Sequence, residues 1–239
     1  MKEIFTIDHA LTYQEGNWKQ RKKTVDMSGK HALPFVTIAR EYGCLGYNLG
    51  LAISKIFNRD FKHEPLWTVF DRNILERLMA DLNISYQLAE TLTGKARGSM
   101  ADYFRMSFSK YPPEAVVYRK LVETMRIIAA NGHVILIGRV SNVVTRDLAK
   151  GFHVRIIASI EKRIQNVSKQ FNISGKEAKK IIDKRGEERE KFFLKRLRVN
   201  MTDPSLYDLI INTSSYSIDD AALLIIKGME SAGLIEHER

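Results

Sequence analysis

The stretch Val36-Thr37-Ile38-Ala39-Arg40-Glu41-Tyr42-Gly43-Cys44-Leu45-Gly46-Tyr47-Asn48 decides how this chain is read. A β-type run, Phe35 to Ala39, passes straight into a turn that carries Gly43 and Gly46. Leu49, Leu51, Ala52, Ile53, Ile56 and Phe57 then recur at helical spacing. Strand, glycine turn and helix in that order can cradle phosphate, because the turn exposes backbone N–H groups and the helix start adds the positive end of its dipole. The usual Gly-x-x-x-x-Gly-Lys-Ser/Thr string is nevertheless absent, and no lysine follows Gly46.

Working outward, Pro34 marks the entry to the first strand, and residues 1–33 read as an N-terminal extension with weak apolar periodicity. Its Trp18-Lys19-Gln20-Arg21-Lys22-Lys23 run reads as a solvated arm or a helix packed on a neighbour rather than a nucleic-acid contact. Trp67 to Phe70 is a second short strand ending at Asp71, and a helical pattern follows through Ile74, Leu75, Leu78 and Met79. Residues 84–113 hold helical pieces, a Gly94 to Gly98 turn and the Pro112-Pro113 break. Thr93-Gly94-Lys95 has no strand before it and is not read as a phosphate loop.

Glu114 to Ala130 is helical and closes at Asn131-Gly132. Val134 to Ile137 is a continuous apolar run, as expected of a strand covered on both faces, with Gly138-Arg139 at its carboxyl end. A short helix around Asn142 to Leu148 leads to a strand at His153 to Ala158, and Ser159 caps a helix from about Ile160. Ser174 and Glu177 fit a capping box, opening a long helix that enters the charged stretch Asp183 to Arg198. Leu206 to Ile211 is the last strand, and Ser217 opens the final helix with Asp219 and Asp220 in its first turn.

Strands alternating with helices give an α/β fold with a mainly parallel sheet and helices on both faces. In such sheets ligands bind beyond the carboxyl ends of the strands, which places Arg40 to Asn48, Asp71, Gly138-Arg139, Ser159 and Asn212-Thr213 on one edge. Composition agrees with a globular chain of 239 residues, 44% hydrophobic and 28% charged. No apolar run approaches the roughly 20 residues that span a bilayer, and the first ten residues do not read as a secretory signal. One cysteine, Cys44, excludes a disulfide framework, and a cytoplasmic setting is the expectation. The net charge of +10 favours polyanionic ligands without choosing among them, and it concentrates at Lys19 to Lys23 and Lys176 to Arg198.

Single residues keep two readings. Arg40 can pair bidentately with phosphate oxygens, or with Glu41 or another nearby acid. Arg139, after a glycine at a strand end, suits an anion or a structural carboxylate. Asp71 can bind a nucleotide hydroxyl or metal, or cap the helix that follows it. The stretch Arg185 to Lys191 alternates in sign, as a solvated helix with i,i+4 pairs does, and as a mobile lid can. Cys44 reads as a small filler before it reads as a reactive thiol. The scattered histidines show no metal-ligand spacing, so no zinc site is expected.

Over residues 35–229 the chain resembles the cytidylate kinase-like proteins of the P-loop nucleotide kinase group. The resemblance rests on Thr37-Ile38-Ala39-Arg40-Glu41-Tyr42-Gly43, Phe70-Asp71-Arg72, Ile135 to Arg139, Asp183-Lys184-Arg185 and Tyr207 to Thr213, in that order and spacing. It implies a three-layer sandwich of the P-loop NTPase type, with a five-stranded parallel sheet in residues 34–239. It also implies a helical acceptor-binding insertion (72–131) and a lid (174–200). ATP and Mg²⁺ would be used, with CMP or dCMP as acceptor. Arg40, Gly43, Gly46, Tyr47 and Asn48 would belong to the phosphate loop, and Asp71 and Arg77 would face the acceptor; of the catalytic arginines, Arg139 would lie beside the acceptor and Arg185 and Arg189 would belong to the lid that closes over the phosphates. Against the family pattern Arg-Glu-Tyr-Gly-Ser-Gly-Gly, Cys44 and Leu45 replace the Ser-Gly pair. Gly46 takes the loop-lysine position, Asn48 the metal-holding hydroxyl, Ile137 the aspartate before Gly-Arg, and Gly186 an aspartate of the lid.

Three functions remain in view: a nucleotide phosphotransferase, a non-catalytic nucleotide or anion sensor that lacks the loop lysine, and a basic nucleic-acid-binding module. The sequence leaves open whether the chain forms a homo-oligomer.

Overall fold

A computed structural model of the chain describes residues 32–61, 65–71, 114–138, 140–192 and 199–236, with side chains in the helix that begins at Glu114 described from Leu121 onward and that of Phe192 left out. Residues 1–31, most of the expected acceptor region (72–113, including Arg77), Arg139 and residues 193–198 of the expected lid lie outside the described residues.

Five strands form one parallel sheet: β1 (Phe35–Arg40), β2 (Thr68–Phe70), β3 (Val134–Ile137), β4 (Gly151–Ile157) and β5 (Leu209–Asn212). Their order is β2-β3-β1-β4-β5, so β1 lies at the centre. The helices are α1 (Gly46–Asp60), α2 (Glu114–Asn131), α3 (Ser141–Val144), α4 (Ile160–Phe171), α5 (Gly175–Phe192) and α6 (Ile218–Ser231). The expected capping residues act as such: the Ser159 hydroxyl accepts from the Lys162 N–H, and Ser174–Glu177 and Ser217–Asp220 form reciprocal boxes. The last strand begins three residues later than expected, because Pro204–Leu206 forms a 3₁₀ turn capped by Asp203.

Period-2 alternation sends Val36, Ile38, Ile135, Ile137, Val154 and Ile156 to one face, where Leu49, Ile53 and Phe57 of α1 and Ala221, Ile225 and Met229 of α6 cover them. Burying each large apolar side chain there contributes about 1.5–3 kcal/mol. Gly50 lets α1 approach the sheet closely, since a Cβ at that position would meet Ile137 Cδ1 at 2.9 Å. The opposite face carries a row formed by Phe70, Leu136, Thr37 and His153, in register across four strands. Arg126 of α2, 1% exposed, clamps the turn after α3 by donating to Val144 O (2.6 Å) and to both Asp147 oxygens (2.6 and 2.8 Å).

Two features of this frame predict stability. Leu45 precedes α1 in the left-handed conformation (φ 54°, ψ 37°) and gives the helix no side-chain cap. That conformation costs a residue with a Cβ roughly 1–2 kcal/mol. Leu45→Gly is therefore expected to raise the unfolding free energy by about 1 kcal/mol in urea titrations. A clear loss instead would show that the half-buried leucine packs well enough to outweigh its strain. His153 is buried, its Nδ1 lies 2.8 Å from Thr37 Oγ1, and burial holds its pKa below the usual 6.5. A depressed histidine pKa leaves stability intact above the unfolded value and removes it as pH falls through the folded one. Wild type should thus lose more stability between pH 7.5 and pH 5 than His153→Gln does, and equal losses would contradict this.

Candidate functional site

The carboxyl ends of β1, β3 and β4 open into a cavity of about 290 Å³. Arg40, Glu41 and Tyr42 line it from the loop after β1, Gly138 from β3 and Arg155 from β4. Arg163 of α4, Gly186, Arg189 and Glu190 of α5, and the segment Val199 to Thr202 with Tyr207 complete the wall. Four arginines against two glutamates make this an electropositive cleft with an apolar rim.

The loop itself is held by contacts from α4. Glu41 Oε2 accepts from Ala158 N–H (3.2 Å) and lies 3.5 Å from Arg163 Nε, which in turn donates to Ala158 O (3.1 Å). Asn166 Nδ2 donates to Gly43 O at 2.8 Å. Gly43 is required there: its φ is +94°, and a Cβ would stand 3.0 Å from both Arg163 Cβ and Arg163 O. The Glu41 N–H donates to Ile156 O and the Cys44 N–H to Glu41 O. Among the described residues no group accepts from the N–H groups of Tyr42, Gly43, Leu45, Gly46, Tyr47 or Asn48. Unpaired donors at a helix start can receive an anion, and of these six residues Tyr42 also lines the cleft.

Arg40 does not pair with Glu41. Its aliphatic stem packs where a Gly46 Cβ would be, at 3.2 Å, and its guanidinium lies over Gly138, whose φ is +71° and whose Cβ would collide with Arg40 Nη1. Gly138 thus makes room for the arginine. Arg189 reaches the same place from α5: Nη1 donates to Arg40 O (3.1 Å), and its guanidinium lies 5.5 Å from the Tyr42 ring centroid. Arg40 and Arg189, far apart in sequence, meet here. Arg185 lies elsewhere, paired with Glu188 (3.1 Å) on a separate groove bordered by Tyr42, Phe171 and Lys184. Tyr47 and Asn48 stand exposed at the start of α1. Burial and the nearby Asp71 carboxylate push the Tyr47 hydroxyl pKa up, which places Asp71 beside the loop at the end of β2.

Cys44 is 2% exposed, and burial, aided by Glu41, pushes its thiol up to about 11. It packs as a neutral filler and offers no thiolate. Arg155, Arg163 and Asn166 escaped the sequence reading, and Tyr207 entered it as part of a family motif and strand, without a role in the site. The polar side chains His153 and Arg155, alternating with Phe152, Val154 and Ile156, were the signal in β4 that one face of this strand meets something other than core. Among the described residues no group of three or more His, Cys, Asp or Glu side chains is arranged to hold a metal ion, and no helix is long and apolar enough to cross a membrane.

Comparison with known proteins agrees with this architecture. A crystal structure of an uncharacterised protein from Eubacterium ventriosum superposes with a TM-score of 0.62 at 16% identity, covering 83% of this chain and 98% of that one. The cytidylate kinase of Methanopyrus kandleri is 30% identical over 169 residues, which is 64% of this chain and 84% of that protein. The cytidylate kinase of Methanocaldococcus jannaschii is 26% identical over 157 residues (61% and 85%), and that of Aeropyrum pernix 23% over 163 residues (66% and 92%). The profile of the cytidylate kinase-like family matches residues 35–215. With its parallel five-stranded sheet and its glycine turn after the central strand, the chain belongs to the cytidylate kinase-like family.

Proposed function

We propose that this chain binds a nucleoside triphosphate on the loop Arg40 to Asn48 and transfers its terminal phosphoryl group to a nucleoside monophosphate of the CMP or dCMP kind, or to another small acceptor. The family implies phosphoryl transfer on nucleotides. The observation that carries the finer reading is the set of loop N–H groups with no described acceptor, beside a cleft lined by Arg40, Arg155, Arg163 and Arg189.

Phosphoryl transfer asks the protein for alignment and charge neutralisation more than for covalent chemistry. The loop amides and the start of α1 would hold the phosphate chain. Arg40, fixed over Gly138, and Arg189, now on a carbonyl and a ring, would turn to phosphate oxygens, which form stronger, charge-assisted bonds. Arg139, next to Gly138, would lie beside the acceptor and Arg77 would face it within the helical region 72–131, with residues 174–200 as the lid. Mg²⁺ usually binds through one or two protein oxygens and the substrate's own phosphates. The Asp71 carboxylate beside Tyr47 and the Asn48 carbonyl oxygen are donors of that kind, and a bound Mg²⁺ would neutralise charge between phosphate groups.

One specific observation favours the sensor reading instead: Gly46 stands where the loop lysine would be, and Leu45 is strained. Losing one transition-state stabiliser of that sort lowers turnover by about 10²–10³. The nucleic-acid reading is weakened by the charges on α5, where Lys179–Asp183, Arg185–Glu188 and Lys191–Glu187 pair locally.

Isothermal titration with ATP, ADP, CMP and dCMP in the presence of Mg²⁺ tests the reading. Binding of a triphosphate and a monophosphate together is expected, and no binding of any of the four at millimolar concentration ends it. In a coupled kinase assay Arg189→Gln should lower kcat by about 10²-fold or more. Tight binding by the wild type without turnover would select the sensor.

A further inference from the structure

We propose that Arg155, stacked on Tyr207, is a phosphate-contacting residue of this cleft and supplies cationic charge that the loop lacks at Gly46. This rests on the nucleotide-binding reading above and extends it to a strand that carries none of the residues assigned so far.

Arg155 lies on β4 directly beside Ala39, the residue before Arg40, so its Cα neighbours the start of the loop. In a parallel sheet residues in register share a face, and Arg155 therefore rises from the sheet on the side of the cleft, whose wall it forms. Its guanidinium lies 5.7 Å from the Tyr207 ring centroid. Tyr207 is itself anchored, its hydroxyl donating to Met201 O at 2.8 Å. A cation held on an aromatic face keeps its orientation while its N–H donors stay available.

Those donors distinguish it from the other arginines. Arg163 is spent on Ala158 O and Glu41, and Arg189 on Arg40 O and Tyr42. Arg126 has both carboxylate oxygens of Asp147 and a carbonyl. Among the described residues Arg155 makes no hydrogen bond and no ion pair, although Glu41 and Glu190 share its cleft. A half-buried guanidinium that lines a cavity, with no acceptor among the described residues, keeps its donors available to a ligand there. A polyphosphate on the adjoining loop takes them up with paired N–H···O bonds. The aromatic stack explains how the charge is kept in place when the cleft is empty of anion.

The test is calorimetric titration of the full chain with MgATP, inorganic tripolyphosphate and cytidine, comparing wild type with Arg155→Gln, Arg155→Lys and Tyr207→Leu. Arg155→Gln should weaken MgATP and tripolyphosphate about 10-fold or more, the loss expected for a charge-assisted contact, while cytidine affinity stays unchanged. Tyr207→Leu should weaken the same two ligands less, because the charge remains but its orientation is lost. MgATP affinity within twofold of wild type in folded Arg155→Gln overturns the inference and leaves the nucleotide reading standing. A wild type that binds none of MgATP, tripolyphosphate and cytidine overturns both. Where Arg155→Gln has no melting transition, Arg155→Lys decides: an ammonium cannot form the paired bonds, so a drop of about threefold or more supports the inference and equal affinity overturns it.

Discussion

The Glu41 carboxylate fixes the position on which the rest of the cleft depends. It accepts from Ala158 N–H at the end of β4 and lies beside Arg163 Nε, so the loop after β1 is tied to the strand next to it rather than to its own helix. On the nucleotide-binding reading proposed above, the tie matters because the loop would leave its amides unused. A loop that satisfied its own N–H groups would be more stable alone and could not receive an anion. Holding it through a side-chain oxygen on one end and through Asn166 on the Gly43 carbonyl keeps the donors open without leaving the backbone free to collapse.

The same logic explains the glycines and the one apparent misfit. Gly43 and Gly138 sit at positive φ, where a Cβ would be strained and would crowd Arg163 and the Arg40 guanidinium. Their places are dictated by the packing of Arg163 and Arg40. Leu45 sits at positive φ as well, where the family pattern carries glycine, and there the strain is tolerated because the loop is fastened on both sides. The site therefore draws its geometry from long-range contacts and carries a local conformational cost. That is the usual division in functional loops, where local preference and tertiary demand disagree.

Much of the frame was legible in the sequence. Strand β3 announced itself as Val134 to Ile137, apolar throughout because both faces are covered, and three helix starts were marked by Ser159, Ser174 and Ser217 with their partners three residues on. The glycine turn between β1 and α1 was visible for the same reason: period and punctuation are local. The cleft was only half legible. Arg40 and Arg189 could be named, but their meeting across 149 positions is a product of topology. Arg126 with Asp147, and Arg163 with Glu41, are pairs between elements whose adjacency no local pattern encodes. Arg185 and Arg189 are one helical turn apart and looked equivalent, yet only Arg189 faces the loop, because the packing of α5 on α4 through Val167, Ala178 and Ile182 sets its rotation.

That rotation also bears on how the cleft changes state. Arg189 now holds a neutral carbonyl and the face of Tyr42, contacts worth about 1 kcal/mol each at a partly solvated site. An anionic oxygen offers the same guanidinium roughly twice the strength of a neutral acceptor. On the nucleotide-binding reading, an incoming phosphate would compete with that carbonyl and that ring for Arg189 on favourable terms. A lid arginine bound to Glu41 would have faced a different balance, because leaving a carboxylate unpaired costs more than leaving a carbonyl to water. By committing Glu41 to Ala158 and Arg163, the fold ties the loop to the end of β4 and to α4, while Arg189 of α5 reaches the same loop through the Arg40 carbonyl.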